Sequence, residues 1–395
     1  MECMRKKCAP FYAWMRCPRR GEARNKKFAT MAKNGNKALG DAKKQKKDEF
    51  YTQLSDINNE LRHYTQHFEG KVVFCNCDDP YESNFFKYFA ANFNALKLKR
   101  LIATCYAGSS VAGRQLDLFR DTTEPESTRK RIPHKIIINE VTDVNGDGRI
   151  DLADVEWLIR NDKNVLSRLK GDGDFRSAEC VELLKESDVV VTNPPFSLFR
   201  EYVAQLVQYG KKFLIIGPKN ALHYKEVFPL IQKNMIWVGH TPMSRDLLFE
   251  WPEAMQKEAI TNGRQGSKFR LVGGVALGRS PSIWFTNLDH KKRHEEYVFI
   301  RKYNPEDFPY YANLEAIDVG RQENIPEDWF GLMGVPDTFL DIYNPEQFEI
   351  VGLGAGDLAK EIGVKKNFRG RTDVALRING KDSCPYSRII IRRKK

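Results

Sequence analysis

No apolar run in this 395-residue chain reaches the ~18 residues that a membrane-spanning helix requires, which excludes a helical membrane protein. The eight cysteines, Cys3, Cys8, Cys17, Cys75, Cys77, Cys105, Cys180 and Cys384, form no paired C-x-x-C pattern, so no structural zinc is expected. The first residues are charged and no apolar stretch follows them; without a secretory signal, a reduced, cytoplasmic compartment is expected. A Gly-x-Gly-x-x-Gly nucleotide fingerprint is also missing. Acidic residues are scarce only at the start. Residues 1–48 hold 15 Lys/Arg against 4 Asp/Glu, leaving 49 of the 64 basic and 48 of the 52 acidic residues to the rest of the chain. The basicity therefore sits in an N-terminal arm, read either as a nucleic-acid contact or as a solvated tail. Residues 1–45 lack apolar periodicity and are expected to be poorly ordered, and Met31 offers an alternative start.

What is present is long enough for two or three domains. The chain is organised around Asp188-Val-Val-Val-Thr-Asn-Pro-Pro-Phe-Ser197. Its valine run reads as a strand buried on both faces, of the kind found in parallel sheets. Pro194 and Pro195 cannot continue that strand, so the chain must leave the sheet at its carboxyl edge, where open α/β sheets place their ligands. There Asn193 and the Pro194 carbonyl can both accept hydrogen bonds from one exocyclic amino group, and Phe196 can stack on the ring that carries it. Strand-like runs at Val72–Cys75, Leu101–Tyr106, Ile136–Ile138 and Lys212–Ile216 alternate with helical patterns: one capped by Ser55, one from about Ser83 to Ala91, one over Val181–Lys185, and one over Leu198–Val207 ended by Gly210. This predicts an α/β doubly wound sheet over 46–235, with an irregular insertion over about 107–165. Past 236 the texture changes to short strands with interleaved aromatic and basic residues, read as an α+β region.

Asn-Pro-Pro-Phe at a strand end resembles motif IV of the amino-methyltransferases. With it stand Asp48-Glu-Phe-Tyr-Thr-Gln53, Phe74-Cys-Asn-Cys-Asp-Asp-Pro80, Gly171-Asp-Gly-Asp-Phe-Arg176, Trp284-Phe-Thr-Asn-Leu-Asp-His290, Met333-Gly-Val-Pro336 and Tyr343-Asn-Pro-Glu-Gln-Phe-Glu-Ile-Val-Gly352. In this order the set resembles the EcoRI-type adenine-specific DNA methyltransferase family from about Asp48 to the C-terminus. The resemblance implies a Rossmann-like catalytic domain that uses S-adenosyl-L-methionine. Phe50, Tyr51 and Thr52 would wrap the methionine end of that cofactor. The loop from Cys75 to Asp79 stands where other methyltransferases carry a Gly-rich motif, with Asp78 the favoured contact. Asp174 would accept from the cofactor's adenine amino group and Phe175 would pack its ring. Residues 236–395 would form the target-recognition region, and the partner would be double-stranded DNA, bound by a monomer.

The chemistry implied follows from the amino nitrogen, whose lone pair is delocalised into the base. Acceptors at Asn193 and Pro194 would draw it toward tetrahedral geometry, so that positioning and electrostatics carry catalysis. The tetrapeptide Asn193, Pro194, Pro195 and Phe196 is thus the catalytic candidate, with the base flipped out of the duplex onto Phe196. Three other readings use similar residues: a cytosine-N4 methyltransferase, an enzyme acting on a glutamine amide or an RNA base, and a catalytically silent DNA-binding protein. Separately, Asp143, Asn145, Asp147, Asp151 and Asp154 occupy positions 1, 3, 5, 9 and 12 of an EF-hand-like loop, with Gly148 at position 6. That loop reads either as a structural Ca²⁺ site or as a metal-free Asx/Gly turn.

Overall fold

In the computed structural model the valine run is the strand Val189–Thr192, buried along its whole length. The structure describes residues 51–77, 83–105, 133–144, 146, 154, 157–159, 166–245, 247–250, 256–257, 260–261 and 269–394, all within one unit, Asp48–Lys395. The expected basic arm over 1–45 and most of the expected insertion lie outside the described residues.

The fold is mixed α/β, built on an eight-stranded mixed sheet. Its order is Leu166–Arg168, His134–Ile138, Arg100–Thr104, Val72–Cys75, Val189–Thr192, Lys212–Pro218, Ser282–Thr286, Trp237–Val238. The middle four strands are parallel, and the strands at either side join antiparallel. Chain order reverses at Val72–Cys75: the next strand in sequence lies on one side of it and Val189–Thr192 on the other. In such sheets the carboxyl ends flanking the reversal form the ligand crevice. Two strands from beyond residue 235, Trp237–Val238 and Ser282–Thr286, complete the sheet.

Side-chain alternation sorts the sheet's two faces. Phe74, Val190, Phe213, Ile215 and Phe285 point to one core, covered by the helices Ala178–Glu186 and Phe199–Gln208. Val73, Val189, Val191, Leu214, Ile216 and Trp284 point to the other, covered by Leu54–Leu61 and Asn84–Ala91. Ser83 caps the last of these by accepting from Phe86 N. The first helix departs from expectation. It begins one residue before Ser55, with Gln53 in extended backbone at its N-cap and no side-chain cap, so Ser55 lies in its first turn. A second sheet, Ile317–Asp318, Leu332–Pro336, Arg388–Arg393 and Phe348–Leu353, packs into the first core through Val335, Ile350 and Ile391. A third pairs Tyr51–Thr52 with Leu247–Glu250. No described helix is long and apolar enough to cross a membrane.

The Leu54–Leu61 helix is locked to the turn after Trp237–Val238 by polar groups. Glu60 is fully buried and accepts from Tyr64 Oη (2.9 Å), His240 N (2.6 Å) and Thr241 N (2.7 Å). His63 stacks on His240 with ring centroids 3.4 Å apart, and the buried His290 ring stands edge-on to both His240 and Tyr64. His290 Nε2 lies 3.2 Å from the Val238 carbonyl, which can only accept, so the proton sits on Nε2. Burial, joined by His240, Arg293 and Lys292, lowers the His290 pKa to about 4, and burial also lowers those of His63 and His240. A histidine whose pKa is lowered by folding stabilises the fold above its ordinary value of 6.5 and loses that contribution as the pH falls toward 4. The wild-type melting temperature is therefore expected to fall between pH 6.5 and 4, with His290 accounting for about 3 kcal/mol. Thermal melts of wild type and His290→Gln across this range check it. The two profiles should converge toward the acid end, and parallel profiles would exclude His290 as the cause.

Candidate active site

The carboxyl ends of the two strands at the reversal are tied to each other. Asp188 sets their register: its Oδ2 accepts from Val72 N (2.8 Å) and its own N–H donates to Val72 O (2.9 Å). At the far end Thr192 Oγ1 donates to the Asn76 carbonyl, and Tyr202 Oη donates to Asn76 Oδ1. Asn76 is thus gripped by the residue preceding Asn193 and by the helix that follows the tetrapeptide. A buried asparagine so held is a fixed floor, because moving it strands polar groups away from water.

On that floor Asn193 and Pro194 are buried, while Pro195 and Phe196 are half-buried. The Pro195 carbonyl accepts from Leu198 N (3.0 Å) to close a single 3₁₀ turn over Phe196–Leu198. The helix Phe199–Gln208 starts directly after it. Phe196 packs against the core under Leu54–Leu61 and is only partly buried. Phe199 is pressed against Gly217, where any Cβ would collide with its ring. Glycine at the end of Lys212–Pro218 therefore allows the tetrapeptide's helix to sit close to the sheet.

Asp174 and Phe175 lie on the same side. Phe175 is buried, its ring 5.0 Å from Tyr202 and edge-on to it, and its carbonyl accepts from Gln205 Nε2 (3.2 Å). Asp174 is held by Arg176 through two parallel bonds, Nε to Oδ1 (2.9 Å) and a terminal nitrogen to Oδ2 (2.8 Å). Arg176 also bonds Glu201 Oε2 (2.6 Å). These two carboxylates, Asp174 first, raise the arginine's pKa. Asp174 Oδ1 also accepts from Arg176 N (2.8 Å), so the carboxylate is fixed in place.

Thr52 comes from the small third sheet. It is buried, its carbonyl accepts from Asn84 Nδ2 (2.7 Å), and among the described residues its hydroxyl has no hydrogen-bond partner. A buried hydroxyl in that condition costs free energy unless a ligand or water engages it, which fits a polar cofactor at the position where one was expected. Cys75 ends its strand with no exposed surface, within the core under Leu54–Leu61. Phe50 and Asp78 lie outside the described residues, and of Tyr51 only the backbone pairing with Glu250 is described.

The calcium reading finds no support. Asn145, Asp147 and Asp151 lie outside the described residues. Asp143 Oδ1 accepts from Gly146 N (2.7 Å), as in an Asx-type turn, and Asp154 Oδ1 accepts from Val144 N (2.9 Å), ten residues earlier in the chain. No group of three or more His, Cys, Asp or Glu among the described residues could hold a metal ion. Sequence reasoning did not single out Asn76 as a support or Tyr202 as its partner. A tyrosine on the buried stripe of a helix was the available signal, since its hydroxyl needs a partner there.

Comparison with known proteins places the chain among the methyltransferases. The chain is 43% identical over 369 residues to the Type II methyltransferase M.EcoRI of Escherichia coli, covering 92% of this chain and 99% of that protein. It is 34% identical over 362 residues to M.MpnI of Mycoplasma pneumoniae, covering 89% and 97% respectively, and 34% identical over 362 residues to M.MgeORF184P of Mycoplasma genitalium, covering 89% and 98%. The family model described as adenine-specific methyltransferase EcoRI matches residues 38–394, and the chain belongs to that family. No solved structure matches it.

Proposed function

We propose that this adenine-specific methyltransferase transfers a methyl group from S-adenosyl-L-methionine to the N6 amino group of adenine within a particular site of duplex DNA. The observation that carries the reading is the seating of Asn193-Pro194-Pro195-Phe196 on the Asn76–Tyr202 floor at the sheet's reversal. The doubly wound parallel core corresponds to a Rossmann-like catalytic domain, with residues 236–395 contributing target recognition and residues 1–45 a basic arm. A monomer acting in the cytoplasm suits such an enzyme.

S-adenosyl-L-methionine, when bound, supplies an electrophilic methyl group. Thr52 and Asp174 are the residues suited to hold it, through a buried hydroxyl and a fixed carboxylate, with Phe175 and Tyr202 walling the crevice. The protein's remaining work is done on the base. Asn193 Oδ1 and the Pro194 carbonyl accept the two amino hydrogens, which restores lone-pair density to nitrogen and points it along the transfer axis. Two prolines leave the acceptors little freedom, so the geometry exists before the base arrives. A base inside a duplex cannot reach a crevice of this kind, so it is extruded, and the accessible face of Phe196 receives it. The test is direct. DNA treated with the protein and its cofactor is digested to nucleosides, and N6-methyladenine is expected. N4-methylcytosine in its place would overturn the base assignment.

Phe196→Ala is expected to lose single-turnover rate, while Phe196→Tyr keeps most of it, because stacking on an aromatic face is worth ~1–3 kcal/mol per base. A duplex with the target base opposite a mismatch should partly rescue the alanine variant, since less unpairing is then required. Equal behaviour of Ala and Tyr would reduce Phe196 to a packing residue.

A further inference from the structure

Away from the crevice, the segment Lys365-Lys-Asn-Phe-Arg-Gly-Arg371 carries four cations and no acid in seven residues. Lys365, Lys366, Phe368, Arg369 and Arg371 are all exposed. Several other cations of this region have carboxylate partners: Arg377 with Asp382, Arg388 with Asp318, Arg392 with Glu349 and Lys360 with Asp357. Among the described residues none of Lys365, Lys366, Arg369 and Arg371 is in an ion pair. Phe368 is 48% exposed, and the Arg369 guanidinium lies 5.1 Å from its ring centre.

The loop is held rigid by two asparagines. Asn367 Oδ1 accepts from Arg369 N (2.8 Å) and Arg371 N (3.2 Å), and its Nδ2 donates to the Asp373 carbonyl (3.0 Å). Its backbone closes the turn with Arg371 O and Gly370 N, both at 2.8 Å, and Gly370 supplies the left-handed residue at φ 73°. Asn313 clamps the neck, donating to Lys365 O (2.8 Å) and Asp373 O (2.9 Å) while accepting from Ala375 N (2.8 Å). Fixing four like charges together in water stabilises nothing within the chain, so the arrangement points outward to a polyanion. Guanidiniums at short spacing match phosphate oxygens, and an exposed ring between them adds an apolar contact with sugar or base.

We propose that the Lys365–Arg371 loop is a preformed clamp for the phosphate backbone of duplex DNA. This rests on the DNA methyltransferase reading above. It assigns the loop to affinity and register rather than to base choice. The test compares wild type, the triple variant Lys366→Ala/Arg369→Ala/Arg371→Ala, and Asn367→Ala, in DNA affinity against salt, in kcat at saturating DNA, and in cofactor affinity by calorimetry. For the triple variant, each lost phosphate contact is expected to reduce the slope of log affinity against log salt by about 0.9, so by about 2 to 3 in all. Affinity at low salt should drop about tenfold or more, equally for target and non-target duplexes, with kcat and cofactor affinity kept. Asn367→Ala keeps every charge and should weaken binding with the slope retained. An unchanged slope in the triple variant overturns the proposal, and so does a parallel loss of cofactor binding, which would make the loop structural. If wild type itself methylates no DNA, the functional reading fails first and the clamp with it.

Discussion

Replacing Asn193 with alanine is expected to lower kcat by about 10²-fold or more while cofactor affinity changes little. The side chain is buried at the carboxyl edge of Val189–Thr192, and its amide oxygen is the one side-chain acceptor in the tetrapeptide. In the proposed mechanism its bond to the amino group would strengthen as nitrogen becomes tetrahedral, so its loss would be felt mainly in the transition state. Preorganised hydrogen-bonding groups of this kind typically contribute ~10²–10³-fold in turnover. A loss confined to the transition state lowers kcat and kcat/KM together. Single-turnover methylation, paired with calorimetry for the cofactor, measures both. Near-normal turnover in Asn193→Ala would remove Asn193 from the mechanism. Asn193→Asp tests the same point from the other side: a carboxylate keeps the acceptor, so its activity should exceed that of the alanine variant.

The largest expected effect on stability is at Glu60, remote from the tetrapeptide in sequence. Glu60→Ala leaves Thr241 N and the fully buried Tyr64 hydroxyl without their acceptor and leaves His240 N only its 3.1 Å bond to Tyr64 Oη. Each abandoned donor costs ~1–3 kcal/mol. Allowing for water entering the cavity, the sum is expected at about 3–5 kcal/mol, comparable to breaking a buried charge network. Urea unfolding should show a lower midpoint with an unchanged slope. Glu60→Gln keeps one acceptor oxygen and should fall between. Gly239→Ala provides an independent check, since a Cβ there would collide with Glu60 Oε1 and Trp284 Cβ. A loss under about 1 kcal/mol in Glu60→Ala would mean that the turn re-bonds elsewhere.

The strands of the central sheet were legible because runs such as Val189–Val191 and Phe213–Ile216 are too short and too uniformly apolar for anything but doubly buried strands. The tetrapeptide was legible for a related reason, since two prolines after such a run fix where the chain leaves the sheet. The support beneath it was not legible. Asn76 and Tyr202 are 126 residues apart, and nothing local in either segment specifies that they meet. Strand direction was hidden likewise: His134–Ile138 carries an apolar run like those of the parallel strands but runs antiparallel to Arg100–Thr104. The change of texture past residue 235 was visible in composition. That Ser282–Thr286 belongs to the sheet of the preceding segments was not, because sheet pairing is a long-range property. The Asp-rich loop shows the converse, an EF-hand-like spacing whose described end residues bond to nearby backbone.

That late strand bears on how the protein is made. Ser282–Thr286 lies between Lys212–Pro218 and Trp237–Val238, so the sheet cannot close until residue 286 has left the ribosome. Tyr51–Thr52, made early, waits for Leu247–Glu250. During that interval the edge of Lys212–Pro218 is unpaired, and Phe213 and Ile215 have no Phe285 beside them. Open apolar edges of this kind invite association between nascent chains. The same topology constrains modular exchange among relatives. A graft that replaces everything after residue 235 also replaces two strands of the central sheet, so a junction that leaves that sheet whole must lie beyond residue 286.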